Sequence, residues 1–214
     1  MFRHRVTFIV RLVLLVMGCI AAVPAPAQDG APVVLVVGDS ISAGYGLPGG
    51  SVWVELLAAR LKAEGYRYRV INASITGDTT AGGRARLPAL LKQHRPAVVV
   101  IELGGNDALR GGRLATTRDN LDVMVSAAQS AGAKVLLVGL QLPSNYGSAY
   151  VREFDELFAT VAKARRAPLV PYFFNGFGED LAYFLPDRIH PTVDAQPKLL
   201  ANVWPTLQPL LRKP

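Results

Sequence analysis

Val33-Val34-Leu35-Val36-Val37-Gly38-Asp39-Ser40 carries five apolar, mostly β-branched residues straight into a glycine and two polar residues. An unbroken run of that kind suits a strand buried on both faces, and the Gly-Asp-Ser after it marks where the chain leaves the strand. Downstream, Val52 to Glu64 has helical spacing, with Trp53, Leu56, Leu57 and Leu61 on one stripe. A second strand is expected at about Tyr68 to Ile71 and a helix at about Arg84 to Gln93. Ala97 to Leu103 reads as a strand, Leu121 to Gln129 as a helix ended by Gly132, and Lys134 to Leu140 as a strand. Tyr150 to Arg165 is amphipathic, with Phe154, Leu157, Phe158 and Val161 on its apolar stripe. A short strand near Leu169 to Val170 and a helix from about Asp194 to Leu211 complete the pattern. Strands alternating with helices at this spacing imply βαβ crossovers, hence a three-layer α/β/α domain on a mainly parallel sheet. Ligands of such sheets bind beyond the carboxyl ends of the strands, so the chemistry belongs in the loops leaving them.

The chain has 214 residues, 50% hydrophobic and 18% charged, as expected of one domain. It shows no repeat of 20 to 50 residues and no periodic glycine or proline. Residues 1–27 read as a signal peptide. Arg3, Arg5 and Arg11 form a basic start, Leu12 to Val23 is a short apolar stretch, and Ala25-Pro26-Ala27 is a small-x-small cleavage pattern. Cleavage near Ala27 leaves 28–214 as the exported domain, periplasmic or secreted. An uncleaved anchor, or acylation at Cys19, are the alternatives. The leader takes three arginines with it, leaving 20 basic against 16 acidic residues, or +4. With no run of five like charges and no basic patch interleaved with aromatics, nucleic acid is not an expected partner. With Cys19 and His4 in the leader, the exported domain keeps two histidines and no cysteine, too few ligands for a structural zinc site.

Four strand exits carry small, hydroxyl or amide residues: Gly38 to Gly44, Asn72 to Thr79, Gly104 to Asp107, and Gln141 to Gly147. Each alone is ordinary turn chemistry. The histidines narrow the choice. His4 falls in the leader, and His94 ends a helix on the edge opposite the strand exits, which leaves His190. Asp187 precedes it by three residues, a spacing that lets a carboxylate hold one ring nitrogen while the other faces a cleft. A capping pair before the last helix is the plain alternative. For such a base the nucleophile must be serine or threonine. Ser40 is best placed, with Ser42, Ser74, Thr76 and Thr79 as competitors. There is no G-x-S-x-G, so a nucleophile elbow is not expected.

Gly38-Asp39-Ser40, Gly77, Gly104-Gly105-Asn106-Asp107 and Asp187-Arg188-Ile189-His190-Pro191, in that order, resemble the signature blocks of the SGNH, or GDSL, hydrolases. The likeness is greatest to the exported acyl thioesterase, arylesterase and lysophospholipase group. It implies a flavodoxin-like fold with five parallel strands in the order 2-1-3-4-5, with no metal or other cofactor. Ser40 is then the nucleophile, His190 the base and Asp187 its orienter, with the oxyanion held by Ser40 N–H, Gly77 N–H and the Asn106 amide. Ala108 departs from the glycine frequent in that group. Leu109, Leu142, Pro143 and Tyr146 fall in segments that border the acyl site in the family and are the candidate substrate-lining residues. The expected function is hydrolysis of small carboxylic esters, thioesters or lysophospholipids through an acyl-serine, by a monomer with transient contact to a lipid surface. A carbohydrate acetylesterase and a noncatalytic lipid- or glycan-binding module are the alternatives.

Overall fold

The computed structural model describes residues 30–213; the expected leader and Cys19 lie outside them. Five strands, β1 (Val33–Gly38), β2 (Arg69–Asn72), β3 (Val98–Glu102), β4 (Lys134–Val138) and β5 (Leu169–Val170), form one parallel sheet in the order β2-β1-β3-β4-β5. Every residue of β1 and β3 is buried, which is why both read as continuous apolar runs; β2, at the edge, is half-exposed.

Seven α-helices are present among the described residues: α1 (Ser40–Ala43), α2 (Trp53–Ala63), α3 (Thr80–His94), α4 (Gly105–Leu109), α5 (Leu114–Ser130), α6 (Ser148–Arg165) and α7 (Gln196–Leu207). Helices α3, α5 and α6 pack side by side on one face of the sheet, and α2 and α7 pair on the other. The buried side chains of both layers and the sheet make one continuous core, including Trp53, Phe154, Phe158 and Phe173. No helix among the described residues is long and apolar enough to cross a membrane.

Three helix boundaries differ from the periodicity. Helix α3 starts at Thr80 rather than Arg84, because the Thr79 hydroxyl caps it by accepting from Gly82 N. Its glycines hide that start. At Gly83 a Cβ would lie 2.3 Å from Leu103 Cδ1, which shows how closely the helix presses on the chain leaving β3. Helix α5 starts at Leu114 rather than Leu121. Its first two turns bury Thr117 and Asn120, polar residues that break the apolar stripe. The expected last helix divides into a 3-10 turn at Val193–Ala195, α7, and a second 3-10 turn at Gln208–Leu210.

Candidate active site

The chain leaving β1 is gripped immediately. Asp39 caps α1, its Oδ1 accepting from Ile41 N at 3.0 Å, and so sets Ser40 at the start of a single helical turn. That turn ends at Gly44 in the left-handed region (φ 79°), and the N–H groups of Gly44 and Tyr45 both donate to the Ser40 carbonyl. Only glycine suits the position: φ is positive, and a Cβ would lie 2.3 Å from Val52 Cγ2. This tight turn presents the serine without a G-x-S-x-G elbow. Ser42, a competitor in the sequence, has its hydroxyl fully buried and engaged twice, donating to Glu102 Oε2 (2.7 Å) and accepting from Trp53 Nε1 (3.1 Å). Of the others, Thr79 serves as the α3 cap.

His190 arrives from the far end of the chain on a tight turn after β5. Phe184 and Pro191 bridge antiparallel, Leu185 N donates to His190 O, and Arg188 takes a left-handed conformation (φ 60°). Within this turn the Asp187 carboxylate accepts from the N–H groups of Ile189 (2.9 Å) and His190 (3.0 Å) through Oδ1, while Oδ2 lies 2.7 Å from His190 Nδ1. Burial works to raise this carboxyl, yet the His190 and Ile189 N–H groups and the imidazole outweigh it and bring it down to about 2. The other ring nitrogen, Nε2, stands 2.9 Å from Ser40 Oγ. With Nδ1–H donating to Asp187, Nε2 is left as the acceptor for the serine proton.

Asn106 lies in the first turn of α4. Its Nδ2 donates to Asp39 Oδ2 at 3.0 Å, so the residue that caps the Ser40 turn also fixes the Asn106 amide. Gly77, in a left-handed conformation, lies in the loop leaving β2, where its carbonyl accepts from the Arg110 guanidinium at 3.1 Å. Arg86 of α3 holds that loop to the sheet through Asp78 (2.8 Å) and the carbonyls of Ala73 and Gly38. Asp107 binds Thr80, accepting from its N–H and its hydroxyl, and so ties α4 to the start of α3.

Behind the serine sits a group that the sequence reading passed over. Glu102, the last residue of β3 and in register with Gly38, is fully buried. Its Oε2 accepts from Ser42 Oγ and, at 3.4 Å, from Asp39 N; its Oε1 has no partner. Burial first, and then the neighbouring Asp39 charge, push this carboxyl well above the ordinary carboxylate range. Asp39 is itself lifted by burial to about 6, against the pull of the Ile41 N–H, His190 and the Asn106 amide. One charge in an otherwise apolar strand was the available signal.

Of the candidate lining residues, Leu142 packs into the core and Leu109 is partly buried against it, while Pro143 and Tyr146 are exposed on the loop leaving β4. His94 closes α3 at the amino edge of the sheet.

Residues 36–196 match the model of the GDSL-like Lipase/Acylhydrolase family. Over 198 residues the chain is 54% identical to Esterase TesA of Pseudomonas aeruginosa, covering 92% of this chain and 98% of that protein. It is 40% identical to the thioesterase 1/protease 1/lysophospholipase L1 of Escherichia coli K12, over 85% of this chain and 86% of the other. A crystal structure of TesA superposes with a TM-score of 0.82 at 56% identity, covering 84% of this chain and 99% of that one.

Proposed function

The chain belongs to the GDSL-like lipase/acylhydrolase family, whose ester- and thioester-hydrolysing chemistry is its function, and we propose that it performs this chemistry with Ser40 as nucleophile. The observation that carries the reading is the pair of contacts at His190, 2.7 Å to Asp187 three positions before it and 2.9 Å to Ser40, 150 positions away in the chain.

A serine hydroxyl is a weak nucleophile until its proton has somewhere to go. His190 Nε2 takes that proton as Ser40 Oγ bonds to the acyl carbon, and the carbonyl oxygen becomes an oxyanion. Asp187 keeps the ring in the productive tautomer and stabilises the imidazolium. Three donors serve the oxyanion: Ser40 N–H, Gly77 N–H and the Asn106 side-chain amide. A primary amide carries two N–H groups, so the bond to Asp39 orients Asn106 and leaves one hydrogen for the substrate. The imidazolium then gives its proton to the departing alcohol or thiol. Water, deprotonated by the same imidazole, attacks the acyl-serine, and collapse of the second oxyanion releases the acid and restores the Ser40 proton.

Small acyl esters and thioesters are the substrates in this reading, their apolar acyl part running along Leu109, Leu142, Pro143 and Tyr146. Residues 1–27 direct export and are removed near Ala27; N-terminal sequencing of the secreted protein checks this. The acyl-serine is tested by mixing excess aryl ester with enzyme on a rapid-reaction instrument. A burst of phenolate approaching one equivalent, followed by a rate shared between an aryl ester and a thioester of the same acid where deacylation limits, is the expected result. Direct hydrolysis with no burst under any acyl chain, and with rates set by the leaving group throughout, contradicts it.

A further inference from the structure

We infer that Tyr45 is a positioning residue for His190, its ring bracing the imidazole and favouring the imidazolium that forms when Ser40 gives up its proton. The two rings lie 4.5 Å apart between centroids and are inclined at 40°. The inference rests on the Ser40–His190–Asp187 reading and extends it to a fourth side chain.

The backbone explains how an exposed aromatic comes to lie there. Tyr45 follows Gly44, whose left-handed turn ends α1, and its N–H donates to the Ser40 carbonyl at 3.0 Å. The nucleophile and the ring over its base therefore hang from one hydrogen-bonded turn. The Tyr45 side chain is half-exposed, although burial is the more favourable fate for so large an aromatic, and the imidazole is the aromatic partner it meets.

A ring face attracts a cation within about 6 Å of its centroid and does little for a neutral imidazole. The contact therefore discriminates between the two states of the base, which a merely steric brace does not. The other groups that meet His190 are Asp187 at Nδ1, Ser40 at Nε2, and Asp39, whose charge acts on it through space. Both carboxylates are part of the hydrogen-bonded framework. Tyr45 is separable from it, because its side chain is at the surface and its backbone contacts survive substitution.

The test is an NMR titration of the His190 Cε1–H, assigned with His94→Gln, run alongside kcat/KM against pH, for the wild type, Tyr45→Phe and Tyr45→Leu. Phenylalanine keeps the ring face and is expected to track the wild type in both readouts. Leucine is expected to lower the His190 midpoint by about 0.4 to 0.7 pH units and to reduce the plateau of kcat/KM about two- to five-fold, while the acid limb extends to lower pH. A lower plateau with an extended acid limb is the signature, since simple loss of packing lowers the plateau alone. The inference is overturned if leucine leaves midpoint and acid limb in place, or if phenylalanine behaves as leucine does. An unshifted midpoint in an enzyme that shows the phenolate burst assigns the failure to Tyr45. A shifted midpoint in an enzyme without the burst assigns it to the triad and overturns the catalytic part of the inference.

Discussion

Asp187 and Glu102 both bear on the Ser40 turn, and the protein treats them in opposite ways. Asp187 sits on a surface turn, accepts two backbone N–H groups and an imidazole, and is held down to about 2. Glu102 is sealed beneath the serine with one oxygen unpartnered, and is pushed well up by burial and by Asp39. Hydrogen bonds to the ionised form outweigh partial burial in the first case. In the second, desolvation outweighs the two donors available. The first acid stays charged beside an imidazole; the second holds a backbone turn with little charge.

The largest loss is expected at the charged acid. Asp187→Asn keeps the shape but replaces the carboxylate with an amide, which favours the wrong tautomer of His190. A fall in kcat of about 10³- to 10⁴-fold is expected, as in other Ser-His-Asp sites. A loss under ten-fold in steady-state assays sets Asp187 outside the mechanism. Next comes Asn106, the donor oriented by Asp39. Asn106→Ala is expected to lower kcat by about 10²- to 10³-fold with little change in KM, because the oxyanion exists only in the transition state. A change confined to KM contradicts that role. Asp39→Asn separates orientation from chemistry: Asn106 loses its acceptor if the new amide turns its NH2 toward it, and a fall of about ten-fold is expected, well short of the Asn106→Ala effect. An equal or larger fall contradicts the division of labour between the two residues.

The smallest effect concerns stability, and its sign differs between the two acids. The folded Asp187 carboxyl lies below its ordinary 3.8, so its contribution is complete above about pH 4 and is lost as pH falls toward 2. Asp39 and Glu102 lie above theirs, so the folded protein binds more protons than the unfolded chain. Stability from this pair declines as pH rises from about 4 through about 6, where Asp39 ionises. Glu102→Gln removes the burden. Its Tm is expected to exceed that of the wild type by about 2 °C at pH 8, with the difference vanishing near pH 4. Scanning calorimetry that finds a gap independent of pH argues that Glu102 is not the titrating group.

The same two acids show what was legible in the sequence. The Asp187–His190 pair could be read because three residues of one tight turn bring them together, and the elimination of other histidines required only counting. The alternation of apolar runs revealed the parallel sheet; the strand order 2-1-3-4-5, implied by the family resemblance, is the order observed. Glu102 was hidden because its role depends on register with Gly38 and on Ser42 turning inward, neither of which leaves a periodic trace. Tyr45 was hidden for a related reason: its direction is set by a left-handed glycine rather than by helix or strand periodicity. Buried Thr117 and Asn120 likewise concealed the first turns of α5, since the pattern that marks a helix assumes that what is buried is apolar.

The most direct trial of the central claim is to treat the protein with an alkyl phosphonate ester bearing an aryl leaving group, measure the intact mass, and locate the adduct by peptide mapping. One phosphonyl group on Ser40, with activity lost in proportion and no labelling of Ser40→Ala, is the predicted outcome. Labelling at Ser42 or another residue, or full activity in a protein quantitatively modified at Ser40, contradicts it.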